Sequence, residues 1–155
     1  MIEFKGEISG KCKKFVLNRY KNTIFIIMLI VGLVFGAITV LVALHWKSIA
    51  LVFLIVDFFP LICSLFPVSK ETQRRNLPTR VFIDELDKCV VIQCENDERF
   101  HMFSKLKRVV DYGDFYDFEF HFPDRDLFAV CQKKLLTKGT FEEFEMLFEG
   151  KIERK

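Results

Sequence analysis

Residues 23–44, TIFIIMLIVGLVFGAITVLVAL, are followed after His45, Trp46 and Lys47 by residues 48–66, SIALVFLIVDFFPLICSLF. At about 1.5 Å of rise per residue, runs of 22 and 19 residues extend roughly 33 and 28 Å, close to the roughly 30 Å hydrocarbon layer of a bilayer. Main chain that enters lipid must satisfy its polar groups internally, so both runs are expected to be helices. The N-terminal half therefore reads as a transmembrane helical hairpin with spans 23–44 and 48–66.

Working outward, the hairpin divides the chain into a basic leader, 1–22, a connector, 68–78, and a small domain, 79–155. The leader carries Lys5, Lys11, Lys13, Lys14, Arg19 and Lys21 against Glu3 and Glu7, and Lys70, Arg74, Arg75 and Arg80 follow the second run, whereas Lys47 stands alone between the runs. The positive-inside bias then places both termini in the cytoplasm, with the chain multi-pass in the cell membrane. A cleaved signal peptide does not fit, because the first run exceeds the usual apolar length of about 7 to 15 residues. The residues after the hairpin carry more acids than bases, which argues against a nucleic-acid partner. Five cysteines, Cys12, Cys63, Cys89, Cys94 and Cys131, share no repeated spacing, so neither a disulfide framework nor a zinc site is read.

Within the hairpin, Gly32 and Gly36 form a step of small residues on which another helix can approach closely, inside the hairpin or from a second copy. Asp57 lies near the middle of the second run, where a carboxylate costs about 2.5 to 3.5 kcal/mol on insertion scales. Pro60, three residues on, frees a carbonyl that can help to satisfy it.

After Pro78 the periodicity changes to two. Tyr116, Phe118, Phe120 and Phe122 alternate with Asp117, Glu119 and His121, which predicts a strand with four aromatics on its buried face. Shorter alternating runs at 80–84, 89–95, 99–103, 107–112 and 127–132 are separated by turn formers at 85–88, 96–97, 113–114 and 123–126. Together they predict an α+β domain: an antiparallel meander of about six to seven strands, closed by a C-terminal helix. For that helix, Thr140 to Glu143 reads as a capping box, and Phe141, Phe144, Leu147, Phe148 and Ile152 form its apolar stripe.

The phrases Phe4-Lys5-Gly6-Glu7-Ile8, Phe103-Ser104-Lys105-Leu106-Lys107-Arg108-Val109, Gly113-Asp114-Phe115-Tyr116 and Lys138-Gly139-Thr140-Phe141-Glu142-Glu143-Phe144 accompany this order of parts. In them the chain resembles the YcxB-like family of small bacterial membrane proteins, with Phe103 where Trp or Tyr often opens that segment. The resemblance implies a two-span anchor and a cytoplasmic domain similar to a pleckstrin-homology fold, a bent antiparallel sheet capped by a C-terminal helix. It implies no particular activity.

No phosphate-cradling glycine loop, nucleophile elbow or HExxH is present, so no catalytic residue, metal ligand or cofactor is expected. His101 and His121 read as satisfied or solvated strand side chains. The expected function is a non-catalytic membrane-anchored binding module, its partner a protein or a lipid headgroup. Lys105, Lys107, Arg108, Lys133, Lys134 and Lys138 are the candidates for anionic headgroup contact. The alternative is an oligomeric hairpin, associated through Gly32 and Gly36 around Asp57, that forms or regulates a transport assembly.

Overall fold

The computed structural model describes residues 1–45 and 75–155. The second apolar run, with Asp57 and Pro60, and the larger part of the connector 68–78 lie outside the described residues. By its contacts the chain divides into two compact units, Met1–Leu17 with Lys70–Lys155, and Asn18–Ser69.

The first run lies in α1, a 36-residue helix over Gly10–His45. Its Gly10–Leu41 stretch is long and apolar enough to cross a membrane by length and composition. From Phe25 to Leu41 the large apolar side chains are mostly exposed, Leu33 and Leu41 by about two thirds (67% and 65%). At the other end of the same helix Cys12 and Val16 are fully buried.

That end corrects the expected domain division. Residues 1–22 are not a separate leader: Ile2–Lys5 is a strand, β1, and it belongs to the folded domain. Ile2 and Phe4 alternate with Glu3 and Lys5, so one face of the strand enters the core at 1% and 2% exposure. Residues 79–155 alone would lack this strand, which lies between two others.

The remaining strands are β2 (Arg80–Asp84), β3 (Cys89–Gln93), β4 (Glu98–Met102), β5 (Leu106–Asp111), β6 (Phe115–Phe120), β7 (Val130–Gln132), β8 (Leu136–Lys138) and β9 (Ile152–Arg154). A five-stranded sheet has the order β4-β3-β2-β1-β8 and a four-stranded sheet the order β7-β6-β5-β9. All pairings are antiparallel except β5 with β9. Where one bent sheet of about six to seven strands was predicted from the turns, nine strands in two sheets are present among the described residues. The additional ones are β1, β8 and β9, each four residues or shorter. Two 3-10 turns, Phe103–Lys105 and Lys133–Leu135, carry the chain from one sheet to the other.

β6 follows the predicted alternation up to its last residue. Tyr116, Phe118 and Phe120 are buried, but Phe122 is 92% exposed because the strand ends at Phe120, ahead of Pro123. Phe115 and Asp117, on the opposite face, are buried as well. Phe15 of α1 covers that side, its ring 5.2 Å from Phe115 and 4.9 Å from Tyr112.

The C-terminal helix, α2, spans Phe141–Leu147 and begins with the capping box read from the sequence. Phe144 and Phe148 drop into the core beside Tyr116 and Phe118. Ile152 does not continue the stripe. Gly150, at φ +77°, turns the chain out of the helix, and Ile152 enters β9 instead.

Candidate functional site

The six basic side chains singled out for headgroup contact are largely held by the protein itself. Arg108 links β5, β6 and β9: Nε donates to Glu119 at 2.7 Å and Nη1 to Glu153 at 2.7 Å. The Arg108 hydrogen bond outweighs burial and holds the Glu119 carboxyl below the usual carboxylate range. Lys133 Nζ is 2.8 Å from Asp111 Oδ1 and 4.4 Å from the centre of the Tyr116 ring. Lys134 Nζ donates to Ser9 Oγ at 2.6 Å.

Lys138 Nζ lies 3.3 Å from Glu3 Oε2, and Arg80 pairs with the other oxygen of the same carboxylate. Burial pushes the Glu3 carboxyl up, but these two cations more than offset it, and its pKa falls below the ordinary value. Lys105 is 3.7 Å from Asp124, and Lys107 is exposed. The residues also divide between two sheets, with Lys107 and Arg108 on β5 and Lys138 on β8.

Gly32 and Gly36 both lie on α1, and among the described residues a side chain added at Gly36 would meet nothing within 4 Å.

A different cluster was not legible as a site. Asp126, whose side chain is 5% exposed, accepts Arg99 Nη1 at 3.1 and 3.3 Å, pairs with His101 Nε2 at 3.0 Å and accepts the Phe128 amide at 2.8 Å. Burial pushes the Asp126 carboxyl up, but the His101 and Phe128 hydrogen bonds and the Arg99 charge outweigh it, leaving it below the usual carboxylate range. His101 also stacks on Phe120 at 4.5 Å, and the Arg99 guanidinium lies 5.4 Å from the Phe128 ring centre. Arg99, His101, Asp126 and Phe128, with residues 123–127, line an open cleft of about 340 Å³.

A carboxylate that orients a histidine is half of a hydrolytic constellation, and Cys94 is the nearby nucleophile to consider. Its thiol donates to the Asn76 carbonyl at 3.4 Å, and burial raises its pKa, so it stays protonated at neutral pH. The arrangement fastens β4 to the segment before β7. The available signal was the pair Arg99 and His101 at a spacing of two. In the β3–β4 register they stand opposite Ile92 and Val90, on the core side. That leaves Phe100 and Met102 on the outer side, 65% and 55% exposed.

Among the described residues, no group of three or more His, Cys, Asp or Glu side chains is placed to hold a metal ion. Comparisons with protein-family models, with curated proteins and with solved structures found no match to this chain.

Proposed function

We propose that this chain is a non-catalytic, membrane-anchored interaction module. In this reading α1 and the run 48–66 form a two-span anchor with both termini in the cytoplasm. The β-rich domain, YcxB-like and similar to a pleckstrin-homology fold, is offered at the inner membrane face. One observation carries it: α1 is a single unbroken helix, buried in the domain at Cys12 and Val16, with most of its large apolar side chains from Phe25 to Leu41 exposed. So large an exposed apolar surface calls for an apolar surrounding, and an uninterrupted helix ties that surrounding to the domain.

A protein is favoured over a headgroup as the partner. Of the six basic side chains that a headgroup would meet, five are engaged with Glu3, Asp111, Glu119, Asp124, Glu153 or Ser9. The test is fractionation of cells expressing the full chain, followed by carbonate washing and protease treatment of intact cells. The chain is expected to stay with the membrane until detergent is added, with its C-terminus protected. Recovery in the soluble fraction without detergent overturns the anchor, and a C-terminus cut from outside overturns the orientation.

A further inference from the structure

β4 ends the five-stranded sheet, and its open side is a row of main-chain groups. Two bonds of 2.8 Å bracket the β3–β4 ladder, from the Phe103 amide to the Lys88 carbonyl and from the Cys94 amide to the Asp97 carbonyl. They fix Val90 with His101 and Ile92 with Arg99 as the hydrogen-bonded pairs of the ladder. By the alternation of an antiparallel pair, the N–H and C=O groups of Glu98, Phe100 and Met102 point away from β3. Such an edge is a template for another strand unless Pro, a bulge or charge, inward-pointing charge included, blunts it, and here the inward Arg99 and His101 are both paired with Asp126. β4 reads ERFHM and pairs with β3 without a register shift.

Three further features say what the edge would accept. On the outer face, exposed Phe100 and Met102 offer an apolar strip beside the open main chain. On the inner face, Arg99 and His101 are fastened to Asp126, so the strand is pre-formed, and the 340 Å³ cleft beside them has room for an inward side chain of an added strand. The surroundings are acidic at the Glu98 end, while the exposed Arg125 lines the cleft. Glu95, Asp97 and Glu98 are exposed at one end and Asp87 at the other, against Lys88, while Arg99 is already shared between Asp97 and Asp126.

We infer that β4 is a docking edge for an extended segment of a partner protein, apolar at alternate positions and carrying Lys or Arg where it meets Glu95 and Glu98. Main-chain bonds to Glu98, Phe100 and Met102 supply attachment, and the two flanking faces supply selectivity. This rests on reading the chain as an interaction module and names the chemistry of what it binds.

The test is amide hydrogen exchange on the full chain in lipid nanodiscs. The probe is a short synthetic peptide alternating valine and threonine and ending in two lysines, with a twin ending in two glutamates. With the lysine peptide at about ten times its dissociation constant, exchange at Glu98, Phe100 and Met102 slows about tenfold. The glutamate twin leaves it unchanged. Phe100→Lys and Glu98→Lys each weaken the lysine peptide about tenfold, with exchange in β6 unaltered as the check on folding.

Four outcomes overturn the inference: no slowing at millimolar lysine peptide, equal slowing by both peptides, slowing that grows with protein concentration alone, or slowing by anionic nanodiscs without peptide. The third would identify a second copy as the occupant, and the fourth a lipid surface. Failure of the anchor is seen separately, as failure to enter nanodiscs, and the exchange comparison is then made on the soluble chain.

Discussion

Two regions of the domain hold it together by opposite means. Under α2, Phe144 lies 4.3 Å from Tyr116, 5.0 Å from Phe148, 5.9 Å from Phe4 and 6.0 Å from Phe118, centre to centre. At the edge, the Arg99, His101 and Phe128 donors converge on the single carboxylate of Asp126. The ring cluster is non-directional and shared among many partners, so its strength grows with buried area. The carboxylate cluster is directional and stands or falls with one residue. Periodicity in sequence marks the first kind of fastening and leaves the second unmarked.

Removing the centre of each cluster separates them most sharply. Phe144→Ala opens a cavity in a site with 0% exposure and is expected to cost about 3 to 5 kcal/mol. Phe144→Asp, which adds a buried charge, is expected to leave no folded domain. Denaturant unfolding of the detergent-solubilised chain, followed by near-ultraviolet circular dichroism, measures both. An Ala variant as stable as the parent would show that the rings do not hold α2.

Asp126→Ala comes next. It strands the buried Phe128 amide and His101, whose side chain is only 12% exposed, leaves Arg99 with Asp97 alone, and is expected to cost about 2 to 4 kcal/mol, a little below the range for a fully buried pair. The two clusters also differ in their response to pH. The folded pKa of Asp126 lies below its unfolded value. Its contribution is therefore complete above about pH 4 and lost as pH falls through the folded pKa. Asp126→Asn should lessen the acid-side loss.

Tyr116, with its hydroxyl 3.3 Å from Glu145, is shifted the other way, its pKa raised chiefly by burial. Its contribution is complete below about pH 10 and lost at higher pH, where the unfolded phenol ionises. Tyr116→Phe should flatten the alkaline flank and leave the acid flank alone. Stability profiles of parent and variants across pH test both signs. Coincident profiles would remove the assignment.

What could be read in advance follows the same division. Strand 80–84, the aromatic face at Tyr116, Phe118 and Phe120, and the box at Thr140 and Glu143 each declare themselves within a few residues, and each is present. β1 was hidden because it is only four residues long and its partner β2 lies far along the chain. The inward face of β4 was not assigned, for a related reason. Alternation alone would bury Phe100 and Met102, but a carboxylate 25 to 27 residues away makes Arg99 and His101 the inward pair. Phe122 continues the aromatic pattern and lies outside, since the strand stops before Pro123. Non-local polar pairing overrides local pattern at each place where the candidate edge was missed.

The smallest expected effect concerns how α2 starts. Thr140 Oγ1 accepts the Glu143 amide at 3.1 Å, and Glu143 Oε2 accepts the Thr140 amide at 3.0 Å. A seven-residue helix is too short to persist by propensity alone, so rings, not cap, should supply most of its stability. Thr140→Ala is therefore expected to cost about 1 kcal/mol, well below the loss for Phe144→Ala. Glu143→Gln keeps both bonds of the box and should be nearly silent, whereas Glu143→Ala should lose part of the same increment. The same denaturant titration orders the four variants. A cap loss equal to the ring loss would reverse the comparison, making the helix start the element that seats Phe144 and Phe148.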